Sequence, residues 1–276
     1  MHESILVFRN FLYLKLTVAL VLAAIIAYFA HRPLGAPNGG TWLGYTLGTI
    51  GALLIVWFAW FGIRKRRYGV GKLLLEDWLS AHVYMGLGLI VIATLHTGFQ
   101  FAWNVHLLAY VLMILVIASG AFGLFAYVRY PALMTQNRAG LTLGEIMAGV
   151  TGLDQQCRDV SMSLGDEINA AVLRAAEETH VGGGVWRQLS GTDPGCPTTQ
   201  ALALVQGAAK DLRGDAGNAA NRLTALLSRK VEYLAKARRD VRYKALMDIW
   251  LYLHVPLTIA LLAALVTHIV SVFFYW

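Results

Sequence analysis

Two pairs of histidines share one spacing. His82 and His96, like His254 and His268, are separated by fourteen positions, and each pair lies inside a long apolar stretch. Fourteen residues of α-helix advance about 21 Å and come within roughly 40° of four full turns, so both members of a pair lie on one face of their helix. Two such helices side by side can grip two stacked iron porphyrins, each helix filling one axial position of each iron. Six-coordinate iron of that kind leaves no place for oxygen and suits electron transfer. Zinc wants three or four ligands clustered tightly, often with Cys or carboxylate, and two ligands per site about 20 Å apart do not supply that. Eight histidines scattered at random would give about 0.2 pairs at this spacing. A lone intramembrane histidine is often a hydrogen-bonded contact between helices, but four in matched pairs argue for function, because ionisable groups are costly in lipid.

The helices that must carry these residues follow from composition. The chain has 276 residues, 57% of them hydrophobic and only 14% charged, with a mean hydropathy of +0.56. That is too little polar surface for a soluble domain. Apolar runs at about 11–30, 42–63, 78–101, 105–128 and 249–275 are each long enough to cross a hydrocarbon core of about 30 Å, which predicts five transmembrane helices. Arg64, Lys65, Arg66, Arg67 and Lys72 fall between the second and third spans, while the first-to-second connection has only Arg32. The basic loop therefore belongs in the cytoplasm, with the N-terminus inside and the C-terminus outside. The first span is about 20 residues long, is followed by bulky Tyr28 and Phe29, and has no small-x-small cleavage pattern, so it reads as an uncleaved anchor.

The net charge of +7 is explained largely by that loop, and no nucleic-acid motif accompanies it, so nucleic acid is not expected as a partner. Arg64, Arg67 and Arg129 are also placed to meet porphyrin propionates, because Arg suits carboxylates. Gly86 follows His82 by one turn, and Gly48 and Gly62 repeat the fourteen-residue interval in the second span; a flat macrocycle could lie against those bare backbones, although helix packing explains glycines equally well. His31 and His106 fall at the outer boundary and read as interfacial, and Met85 and Met113 read as packing.

Residues 129–245 form the large non-membrane part. Leu202, Val205, Ala209, Leu212, Ala216, Ala219, Leu223 and Leu226 alternate by threes and fours, a heptad seam, and Leu153, Cys157, Val160, Leu164, Ala171 and Ala175 are spaced similarly upstream. Gly182 to Gly184 and Thr192-Asp193-Pro194-Gly195 separate the two. The expectation is a cytoplasmic antiparallel helical hairpin, its second helix running into the final span. Two cysteines in the cytoplasm argue against a structural disulfide and are too few for a cluster. The organisation expected is all-α: residues 1–128 as four transmembrane helices, 129–245 as the hairpin and 246–276 as the fifth transmembrane helix, the five spans bundled around two haems.

The run Trp78-Leu79-Ser80-Ala81-His82-Val83-Tyr84-Met85-Gly86, with His96-Thr97-Gly98, resembles the haem-binding helices of bis-histidine, di-haem membrane cytochromes b. Two branches are similar: the cytochrome b subunits of quinone-linked respiratory enzymes, and the transmembrane domain of ferric reductases and NADPH oxidases. The resemblance covers about 130 residues and implies two haem b, held by His82 with His254 and by His96 with His268. It implies a membrane subunit of an oxidoreductase complex in the bacterial inner membrane rather than a complete enzyme. The chain departs from both branches in lacking a sixth span and a Rossmann glycine fingerprint, and in its large insertion. A separate redox partner is therefore expected: an iron–sulfur or flavin protein inside, a c-type cytochrome outside, or quinone in the membrane. Two rivals stand beside this reading. One is a quinone-reactive membrane anchor subunit, and the other a haem-free membrane sensor or scaffold whose coiled arm is the working part.

Overall fold

The computed structural model describes residues 7–33, 35–64 and 75–274, and every element among them is helical. The long apolar runs form α1 (Phe8–Ala30), α2 (Trp42–Arg64), α3 (Leu75–Thr97), α4 (Val105–Arg138) and the end of α9 (Gly214–Phe274). Five helices are long and apolar enough to cross a membrane. In hydrocarbon a helix is favoured because it satisfies every backbone hydrogen bond within itself. α9 continues through Pro256 and α4 through Pro131, so the insertion's last helix and the final span are one element.

Two compact units divide the chain: residues 1–123 with 250–276, and residues 124–249. In the first, Ala24 of α1, Leu43 and Leu47 of α2, and Ile92 and Leu95 of α3 form one apolar cluster. Gly88 lets α1 approach α3, since a Cβ there would stand 2.6 Å from Thr17 Cγ2. The first turn of α3 is tied to α1 through Asp77, which accepts from Arg9 Nη2 at 3.1 Å and from the Tyr13 hydroxyl at 3.0 Å. A second cluster joins four helices: Ile55 of α2, Leu89 of α3, Met113 of α4, and Leu261 and Leu265 of α9.

The second unit adds α5 (Leu143–Ser161), α6 (Asp166–Glu177), α7 (Val185–Ser190) and α8 (Pro197–Ala208). Thr142 and Glu145 form a reciprocal cap at the start of α5, and Pro197 occupies the first turn of α8, where its missing N–H is harmless. The insertion therefore differs from the expected two-rod hairpin. The upstream arm breaks at 162–165, where Ser161 and Ser163 hydroxyls donate back to the carbonyls of Arg158 and Val160. The downstream arm breaks at 209–213, just before Gly214 with φ +62°. Cys157, Ile168, Val172, Val205, Leu223 and Leu227 still share one core. Lys230 is buried within it, paired with Asp154 at 2.5 Å and donating to the Ala175 carbonyl at 2.7 Å. Cys157 and Cys196 are both free.

Candidate functional site

On α3, His82, Leu89 and His96 recur every seven residues, and on α9 His254, Leu261 and His268 do the same. Seven residues are nearly two turns, so each trio forms a line along one face. The midpoints Leu89 and Leu261 belong to the same buried cluster. On either side of them lie the histidines, and at one level they meet as a pair. His96 and His268 have ring centroids 6.0 Å apart with planes at 83°, and His82 and His254 stand seven residues from Leu89 and Leu261 on the other side of that cluster. This order means that α3 and the end of α9 run in the same direction, with matching positions at matching levels. Two imidazoles on opposite sides of one metal, with bonds of about 2 Å, have ring centres about 6 Å apart, which the His96–His268 separation matches.

The other ring nitrogen decides which atom is free to bind a metal. His96 Nδ1 is 2.8 Å from the Gly44 carbonyl. A carbonyl only accepts, so Nδ1 carries the proton and Nε2 keeps its lone pair. The same proton accounting holds for His254. Its Nδ1 is 2.7 Å from Ser119 Oγ, and the Ser119 hydroxyl donates its one proton to the Val116 carbonyl at 2.8 Å. Ser119 therefore accepts from His254, leaving Nε2 bare. His268 Nδ1 is 2.5 Å from His106 Nδ1, with the two rings edge to face at 4.5 Å. His82 differs: its buried Nδ1 has no partner among the described residues, and its ring lies against Phe58 at 4.9 Å and Phe61 at 5.3 Å.

The glycines divide by role. A Cβ at Gly48 would stand 2.6 Å from His96 Cε1, and one at Gly39 would stand 3.1 Å from the same atom, so the ring packs closely against two bare backbones. Gly86 is buried, yet a Cβ there would meet nothing within 4 Å. That leaves an open space beside α3 one turn beyond His82. Gly62 also faces open space but is exposed, so nothing ties it to either histidine level. On α4, Gly120 faces His254 at 3.6 Å, and Gly123 admits the Trp250 indole, whose Nε1 donates to the Ser119 carbonyl at 2.7 Å.

Arg129 is exposed and belongs to the second unit. Arg67 and the Arg64 side chain lie outside the described residues, as do Lys65, Arg66 and Lys72. Met113 is buried in the apolar cluster, in keeping with a packing role. The structure adds residues that periodicity does not reveal: His106, Ser119, the Gly44 carbonyl, Gly39 and Phe58. A partial signal exists for Gly44, which with Gly48 forms a small-xxx-small step in α2, the pattern of close helix approach in membranes. At the His82 level, a buried Nδ1 without a partner among the described residues and the open space beside Gly86 are compatible with a flat ligand, whereas at the His96 level the His96 ring itself packs against Gly39 and Gly48. No family model, curated protein or solved structure matches the chain.

Proposed function

We propose that this chain is the di-haem b-type cytochrome subunit of a membrane oxidoreductase complex, carrying electrons between redox partners on opposite faces of the bilayer. His82 and His254 would hold one haem, and His96 and His268 the other. When bound, each haem supplies a one-electron Fe(III)/Fe(II) couple with both axial positions filled. The chain's own residues do the rest. Gly44 and Ser119 hold protons on Nδ1 atoms and so leave Nε2 free, and the Leu89–Leu261 cluster makes the region between the levels apolar.

The observation that carries the proposal is the register: His96 and His268 meet, Leu89 and Leu261 seven residues away share one cluster, and His82 and His254 follow at the same further interval. The proposed orientation, argued from the basic residues between the second and third spans, has the N-terminus in the cytoplasm of a bacterial inner-membrane protein, with the His82 level nearer the inside. Electrons would come from, or go to, an iron–sulfur or flavin protein inside, a c-type cytochrome outside, or quinol in the membrane. The test is a reduced-minus-oxidised visible spectrum of the purified full chain with its haem-to-protein ratio. Two haems per chain are expected, and His96→Ala should retain one. A colourless protein, or His96→Ala with both haems and unchanged axial ligation, would overturn the assignment.

A further inference from the structure

His106 lies outside the paired spacing, yet the fold brings it to His268. Asn104 caps α4, its Oδ1 accepting from the backbone N–H of His106 at 3.0 Å and of Leu107 at 3.2 Å. This fixes the backbone from which the His106 ring reaches α9. The ring stands edge to face against His268 at 4.5 Å, with the two Nδ1 atoms 2.5 Å apart. Two nitrogens at that distance share one proton, and its location decides what His268 can do. If His106 donated, His268 would carry its proton on Nε2 and could not ligate. If His268 donates, its Nε2 is bare, and the His96 ring is 6.0 Å away. We propose that His106 is the positioning residue of the His96/His268 centre, with its Nδ1 accepting the proton of His268 Nδ1.

This inference rests on the two-haem reading. It gives each of three histidines a neutral acceptor on Nδ1: a backbone carbonyl for His96, a hydroxyl for His254 and a second imidazole for His268. An imidazole acceptor is the most basic of the three, so it pushes the most electron density onto its ligand and stabilises the oxidised iron. His106 itself touches no reacting group. Its effect passes through His268 alone.

The test uses the purified full chain and the variants His106→Ala and His106→Asn. Asparagine offers an amide oxygen as acceptor on a shorter side chain. Loss of an outer-shell partner weakens metal affinity by about 10–100-fold, so His106→Ala should retain the His82/His254 haem fully and the other only in part. If the oxidised form is weakened tenfold more than the reduced form, the midpoint of the remaining His96/His268 haem rises by about 59 mV. Its low-temperature EPR signal should shift at the same time. His106→Asn should restore part of the potential and of the EPR position. Identical potential, EPR signal and occupancy in wild type and His106→Ala would overturn the proposal, as would loss of both haems together. Should the wild-type chain bind no haem, the function proposed above fails while His106 is still decided. Histidine ¹⁵N spectra of that chain would then show whether a protonated His268 Nδ1 becomes a mixed tautomer in His106→Ala, as expected, or stays unchanged, which would refute the role.

Discussion

Gly48→Ala should remove one haem while leaving the other in place. A Cβ at this position would stand 2.6 Å from His96 Cε1 and 2.9 Å from Nδ1. Carbon atoms prefer about 3.5–4.0 Å, so the overlap is about 1 Å. Moving the ring away would strain its contact with Gly39 and the 2.8 Å hydrogen bond from Nδ1 to the Gly44 carbonyl. Overpacking of this kind costs about 1–3 kcal/mol, and losing the Nδ1 hydrogen bond adds about 1 kcal/mol. Alanine recovers about 1 kcal/mol through its better helix propensity. The net is about 1–3 kcal/mol, or roughly a 10–100-fold weaker hold on the haem of the His96/His268 level at about 1.4 kcal/mol per tenfold. Haem stoichiometry and the difference spectrum of the purified variant check this, with Gly62→Ala as the control, since a Cβ there meets nothing within 4 Å. Both haems retained at the wild-type ratio, or both lost to the same extent, would refute the reasoning.

Ser119→Ala removes the acceptor for His254 Nδ1 but keeps the backbone carbonyl that receives Trp250; the His82/His254 haem should be held about 10–100-fold less tightly, and equal loss at both levels would contradict it. Lys230→Ala leaves Asp154 without its buried partner and should destabilise the second unit by about 3–5 kcal/mol, whereas Lys230→Met with Asp154→Leu should recover most of that; hydrogen exchange along α5 and α6 in the full chain separates the two outcomes. Cys196 gives a pH dependence. Burial pushes its thiol up, but the Arg238 guanidinium at 3.2 Å and the backbone N–H groups of Thr199 and Thr198 outweigh it, so its folded value lies below the ordinary 9.0. Folding then favours the thiolate, and its contribution is present above the unfolded value and lost as pH falls through the folded one. Unfolding measured between pH 7 and 10 should show a steeper rise in stability for wild type than for Cys196→Ser, and equal slopes would count against it.

The spans were legible because lipid leaves a chain few choices: long apolar runs must become helices, and α2, α3 and α4 begin close to where hydropathy places them. The histidine pairs were legible because a spacing of fourteen is a geometric statement about a helix face. What periodicity could not reveal is what each imidazole's second nitrogen meets. The Gly44 carbonyl is a backbone atom that any residue would supply, Ser119 differs from other serines only through where α4 places it, and His106 comes from another helix, 162 positions away. The insertion shows a different limit. A heptad seam reports which residues share a buried face, and Val205 and Leu223 do share one. It does not report continuity, because the chain can turn at 209–213 and return its next helix to the same core.

The apolar cluster around Leu89 and Leu261 has an electrical consequence. It separates the histidine levels by fourteen residues of helix, about 21 Å of rise, or roughly two-thirds of a 30 Å hydrocarbon core. A unit charge crossing the whole core against 100 mV exchanges about 2.3 kcal/mol with the field, so an electron passing from one level to the other exchanges about 1.5 kcal/mol. If the two levels hold haems as proposed, each transfer between them would charge the membrane or draw on its voltage, and the relative occupancy of the two sites would vary with the polarisation of the cell.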